Sequence, residues 1–192
     1  MNLAGLSGAV PLTHYFLRER VNQGDRVIDA TCGNGQDTLL LAELVGSEGK
    51  VWAFDIQEAA LEKTRESLAA ADRLNRVSLI HASHARMADF VAETVVAILF
   101  NLGYLPTGER EIKTSAESTV AALEQAEKLL LPSGIILIAV YTGHEGGDEE
   151  WSAVKGWAEN LSPDEFNVWQ SRQLNRSDKA PFVVIVEKML FT

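Results

Sequence analysis

Five stretches of this chain, 26–30, 50–56, 76–81, 95–101 and 134–141, are apolar at nearly every position, and segments of helical period separate them. Strands buried on both faces have this character, and their alternation with helices predicts parallel strands joined by crossover connections. Two further runs, 166–172 and 182–188, are more mixed and are separated by 173–181, which predicts an antiparallel pair at one edge. Helices are expected over 13–21, 36–45, 58–74, 115–130 and 149–161. In the fourth, Val120, Leu123, Glu127 and Leu130 are spaced to share a face, and Pro132-Ser133-Gly134 is expected to stop it. The expected fold class is α/β: a seven-stranded, mostly parallel sheet with an antiparallel edge strand and helices on both faces. With no repeat, linker or low-complexity tract, residues 1–192 are expected to form one domain.

Composition narrows the functional classes. One cysteine leaves no internal disulfide. No apolar run approaches the ~20 residues of a membrane span, and no basic segment precedes an apolar stretch at the start, so a soluble cytoplasmic protein is expected. The net charge of −10, from 27 acidic and 17 basic residues, opposes a polyanion at long range. A nucleic-acid partner would require a local basic patch.

The most informative segment is Val27-Ile28-Asp29-Ala30-Thr31-Cys32-Gly33-Asn34-Gly35-Gln36-Asp37-Thr38, a buried strand leading through a glycine turn into a helix. Gly33 and Gly35 permit close approach of a ligand to the backbone, and the helix start beyond offers unpaired N–H groups. Asp55 closes the next strand, where a carboxylate can accept hydrogen bonds from two vicinal ribose hydroxyls, an arrangement shared by NAD and S-adenosylmethionine sites. A dinucleotide loop wants a third glycine where this chain has Thr38. Asp29 and Asp37 would also repel a diphosphate, whereas they suit a sulfonium and an ammonium. S-adenosylmethionine is therefore the expected cofactor, contacted also by Thr31, Cys32, Asn34 and Thr38 of the same segment and by Ile56 and Gln57 beside Asp55.

Asp29 to Thr38 together with Asp55 resembles motif I and the acidic residue of class I methyltransferases, a Rossmann-like fold, with Thr31 standing where their commonest pattern has its first glycine. Asn101-Leu102-Gly103-Tyr104-Leu105-Pro106, His81-Ala82-Ser83-His84 and Tyr141-Thr142-Gly143-His144-Glu145-Gly146-Gly147 make a more specific set. It resembles a small single-domain family labelled rRNA methylase and associated with MnmM-type tRNA 5-(aminomethyl)-2-thiouridine methyltransferases. The resemblance implies methylation of the aminomethyl nitrogen of a wobble uridine in the tRNA anticodon stem-loop, giving 5-methylaminomethyl-2-thiouridine.

The residues fit that chemistry. Asn101 closes the fourth strand at the carboxyl edge and can orient an amine, while Tyr104 can stack on an extruded uracil, with Leu105 and Pro106 completing its loop. Ser83 and His84 follow the third strand, where this architecture meets adenine. Tyr141 and His144 are expected against the substrate, and His81 is expected to be structural. Scattered histidines and a lone Cys32 make a poor metal set, so no metal is expected, and Cys32 is expected to pack rather than react. The thin basic complement (Arg18, Arg20, Arg110, Lys113, Arg172, Arg176 and Lys179) suggests a homodimer that doubles the RNA surface. An rRNA or small-molecule methyltransferase, or a non-catalytic S-adenosylmethionine- or RNA-binding module, is the alternative.

Overall fold

The computed structural model describes residues 6–103 and 115–190. Its strands are β1 (Arg26–Asp29), β2 (Lys50–Asp55), β3 (Val77–His81), β4 (Val95–Asn101), β5 (Leu130–Val140), β6 (Phe166–Ser171) and β7 (Phe182–Lys188). The helices are α1 (Ala9–Arg20), α2 (Gln36–Val45), α3 (Glu58–Ala70), α4 (Ala116–Leu129) and α5 (Gly147–Asn160). One sheet holds all seven strands in the order β3-β2-β1-β4-β5-β7-β6. β1 to β5 are mutually parallel, and β7 runs antiparallel between β5 and β6, so the expected antiparallel pair forms one edge.

Side chains alternate across the sheet with period two, which creates two cores. Ile28, Phe54, Ile98, Phe100, Ile136 and Ile138 face α4 and α5, whereas Val27, Val51, Ala53, Leu99 and Leu137 face α1, α2 and α3. This double covering explains why the strand segments have no polar face.

Two local readings change. β5 begins at Leu130, so the expected stop at Pro132-Ser133-Gly134 lies inside the strand as a bulge: Val95 pairs with Leu130, and two residues later Ala97 pairs with Ile135. Ser133 takes φ +66° there, and a Cβ on Gly134 would lie 2.7 Å from the backbone oxygen of Leu131. On α4, the buried residues are Thr119, Ala122, Leu123 and Ala126; of the expected row, Leu123 and Leu130 are buried, whereas Val120 and Glu127 are half-buried. Small alanines let the helix sit close to the sheet, and the Thr119 hydroxyl donates at 2.8 Å to the buried Glu150 of α5. Lys188 Nζ donates to the carbonyls of Glu127 and Leu130 at 3.1 Å and so satisfies the end of α4.

Candidate active site

Because β1 lies between β2 and β4, the chain leaves the sheet in opposite directions there, and a crevice opens at the carboxyl ends of these strands. The turns after β1, β2, β3, β4 and β5 all meet in it, enclosing a cavity of about 780 Å³.

The turn after β1 is shaped from within. Gly33 and Gly35 take φ +52° and +77°, the left-handed region that glycine enters freely. A Cβ on Gly35 would lie 2.5 Å from the Thr64 hydroxyl of α3, so its missing side chain lets the loop pack down on that helix. Cys32 N donates to the Phe54 carbonyl at 2.8 Å.

Asp29 is fully buried and does not line the cavity; its oxygens accept from Thr31 N at 3.2 Å and the Thr38 hydroxyl at 2.6 Å. Burial, reinforced by the nearby charge of Asp37, pushes its carboxyl up to about 7. Asp29 and Thr38, expected at the cofactor, lie behind the cavity wall and form the buried brace of the loop, and Gly35 also sits behind the wall. Cys32 does reach the cavity, but burial and the charge of Asp29 raise its thiol to about 12, which leaves it a packing residue.

Asp55 stands on the wall with its carboxylate fixed by backbone donors, Gly33 N to Oδ2 and Gln57 N to Oδ1, both at 2.8 Å. Each oxygen retains a second lone pair. Ile56 follows, 46% exposed at the cavity although apolar. After β3, Ser83 Oγ accepts from Ala85 N at 3.2 Å. The His84 Nδ1–H donates to the Ala30 carbonyl at 3.2 Å, and burial lowers the affinity of this imidazole for a second proton.

At the centre, Asn101 N donates to Thr31 Oγ1 at 2.7 Å, and Asn101 Nδ2 donates to Asp37 Oδ2 at 3.2 Å. The other oxygen, Asp37 Oδ1, lies 2.5 Å from His14 Nε2 on α1. Tyr141 also lines the cavity; burial, followed by the charge of Asp37, raises its phenol above the usual range. His144 and Gly103 complete this side, with the ideal Cβ position of Gly103 3.7 Å from His144 Nε2. Tyr104, Leu105 and Pro106, along with Arg110 and Lys113, lie outside the described residues.

His81 is exposed and bonded to the Ile56 carbonyl at 3.0 Å. Among the described residues no three His, Cys, Asp or Glu side chains are grouped to hold a metal, and no helix is long and apolar enough to cross a membrane. Lys179 lines the cavity and pairs with Asp148 at 2.7 Å, and Arg172 stacks 3.7 Å from the Phe182 ring centroid.

The donor set decides between ligands. Apart from Lys179, which is paired with Asp148, no Lys or Arg among the described residues lines the cavity, so a diphosphate would meet the carboxylates of Asp37 and Asp55 with one committed cation to offset them. Asp55 suits a ribose diol and Asp37 a positive group, with exposed Ile56 offering an apolar surface for a ring. The residues present fit S-adenosylmethionine.

Sequence reasoning missed His14 and Val10 of α1 and Ser118 of α4. Val10 and Ser118 line the cavity, and His14 bonds its wall. These side chains arrive by helix docking, with no local motif to announce them.

Comparison with known proteins agrees with this geometry. Residues 51–187 match the family described as "Putative rRNA methylase". The tRNA (mnm(5)s(2)U34)-methyltransferase of Arabidopsis thaliana, a chloroplastic protein, is 38% identical over 97% of this chain and 71% of the plant protein. A "putative rRNA-methylase" from Clostridium thermocellum superposes with a TM-score of 0.93 at 37% identity, covering 96% of this chain and all of that one. A "putative methyltransferase" from Streptococcus mutans, solved in complex with SAH, gives 0.87 at 36% identity over 96% of this chain and all of that one. The chain belongs to this rRNA methylase family and is a class I S-adenosylmethionine-dependent methyltransferase.

Proposed function

We propose that the enzyme methylates the aminomethyl nitrogen of 5-aminomethyl-2-thiouridine at the wobble position of tRNA, giving 5-methylaminomethyl-2-thiouridine, with the anticodon stem-loop as its binding partner. One observation carries this reading: Asn101 meets a carboxylate, Asp37, on the cavity wall, so an amide acceptor and a negative charge stand together where an aminomethyl group needs both. The likeness to the Arabidopsis tRNA methyltransferase supports the choice of RNA.

When bound, S-adenosylmethionine supplies an electrophilic methyl group on a sulfonium. Asp55 would hold the ribose through the lone pairs its backbone donors leave, and the turn at Gly33 and Asn34 would line the ligand closely. Ile56, Gln57, Ser83 and His84 would enclose the adenine. Asp55→Ala is expected to weaken cofactor binding roughly 10-fold or more, because charge-assisted hydrogen bonds are worth about 1.5–3 kcal/mol each. Calorimetry with S-adenosylmethionine checks this, and equal affinity in the variant would remove Asp55 from the site.

A primary amine is mostly cationic at neutral pH and then has no lone pair to attack with. Asp37 attracts the cation into the cavity, and once its proton has passed to water the carbonyl oxygen of Asn101 can hold an N–H of the neutral amine so that its lone pair is aligned for displacement. Tyr141 and His144 stand on the substrate side. The proposal extends to Tyr104, Leu105 and Pro106 as base contacts, and to a homodimer that joins two thin basic surfaces.

Nucleoside mass spectrometry tests the reaction. tRNA from a strain lacking this protein should contain the aminomethyl nucleoside, and incubation with the purified enzyme and S-adenosylmethionine should add one methyl group to it. Persistence of that nucleoside, with a methyl appearing on rRNA instead, would overturn the assignment.

A further inference from the structure

We propose that His14 is a positioning residue for methyl transfer, acting through Asp37 to set the orientation of the Asn101 amide. This rests on the reading of Asn101 as the group that orients the acceptor amine.

The three side chains come from three elements, α1, α2 and β4, and meet only in the folded protein. His14 Nε2 lies 2.5 Å from Asp37 Oδ1, and Asn101 Nδ2 lies 3.2 Å from Asp37 Oδ2. A carboxylate turns readily about its last side-chain bond, for which the energy wells are broad. Asp37 is kept from doing so because each oxygen has its own donor. A carboxylate can only accept, so the face of Asn101 turned towards it must be the NH2 group. The amide carbonyl is thereby left for the acceptor amine, and it takes no hydrogen bond among the described residues. Without His14, Asp37 could swing, Asn101 could flip, and NH2 would meet an amine that needs an acceptor.

His14 is well placed for this work. On either side of it, Thr13 and Leu17 are buried and anchor α1 to the sheet, which fixes the origin of the imidazole. The His14 side chain is 28% exposed and that of Asp37 10%, so the contact is largely shielded from water, where a charge-assisted hydrogen bond is strong. The other titratable groups facing Asp37 are Tyr141 at the end of β5 and Asp29 on β1. Asp29 is held by Thr31 and Thr38, and neither it nor Tyr141 donates to Asp37. On α1 itself the Thr13 hydroxyl donates to the Val10 carbonyl at 2.8 Å. Among the described residues, His14 is the single donor to Oδ1.

The test uses the full chain with His14→Ala and His14→Gln, the glutamine keeping an N–H donor near the place of Nε2. On tRNA carrying the aminomethyl nucleoside and at saturating S-adenosylmethionine, His14→Ala should lower kcat roughly 10-fold or more, since the alignment of the amine is lost. His14→Gln should regain most of that loss. A second readout needs no turnover: in the ligand-free protein, the side-chain NH2 signals of Asn101, assigned by their disappearance in Asn101→Asp, should shift in His14→Ala and return towards their original positions in His14→Gln. Unchanged NH2 signals in His14→Ala, or equal losses of kcat in both His14 variants, would overturn the proposal. If wild type leaves aminomethyl-tRNA unmethylated while the Asn101 signals still follow His14, the amine reading falls and the side-chain linkage stands.

Discussion

Asn101→Ala is expected to lower kcat by roughly 10²-fold or more while leaving S-adenosylmethionine affinity largely intact, because in the proposed reaction the amide is asked to position the incoming amine rather than to hold the cofactor. The geometry sharpens this expectation. Asn101 contributes to the site through two separable groups: its backbone N–H braces Thr31 at 2.7 Å, and its side chain bonds Asp37 at 3.2 Å. Truncation to alanine keeps the first and removes the second, so the cofactor turn keeps its brace. Single-turnover kinetics with saturating S-adenosylmethionine, paired with calorimetry, separates the two effects. The pH profile gives an independent check. With an amine as nucleophile, the rate should rise with pH until that amine is neutral in the complex. A near-normal rate for Asn101→Ala on aminomethyl-tRNA would reduce the 101–106 segment to a structural role.

A second large effect is expected in stability. The carboxyl of Asp29 is raised from 3.8 to about 7 by burial, with Asp37 adding to the shift, so the fold favours its protonated form. Below pH 3.8 the group is protonated in both states and its burial carries no ionisation penalty. As pH rises from there towards 7, the unfolded chain releases the proton while the folded protein keeps it. This one group then lowers stability by up to about 1.4 kcal/mol per pH unit. Asp29→Asn, nearly the same shape and able to bond both Thr31 and Thr38, should remove that slope. Urea unfolding at a series of pH values should show wild type losing stability relative to the Asp29→Asn variant as pH rises from about 4 to about 7. A constant difference between the two across this range would show that Asp29 ionises normally in the fold. The remaining carboxylates are common to both proteins, so the comparison isolates Asp29 together with its coupling to Asp37.

What the sequence determined by itself was everything that depends on neighbouring residues. Strand runs without a polar face required a sheet covered on both sides. The β1 turn needed Gly33 and Gly35 for its positive φ angles, and Asp55 followed from its place at the end of β2. Asn101 was visible for the same reason, as a polar residue closing an apolar strand. The tertiary structure decided which polar groups face the cavity. Asp29 and Asp37 are eight residues apart in one motif, yet one is fully buried behind the turn and the other stands on the cavity wall. The burial of Asp29 depends on the flanking strands β2 and β4 and on the hydroxyl of Thr38, none of which periodicity discloses. The extension of β5 back to Leu130 has a similar origin: Pro132-Ser133-Gly134 has turn chemistry, but pairing with Val95 draws it into the strand as a bulge. His14 is the clearest case. Its helix carries no motif, and 23 residues separate it from Asp37. Only the docking of α1 on the sheet brings imidazole, carboxylate and amide into one line, because that placement is set by the packing of Leu17 and its neighbours rather than by any local preference of the chain.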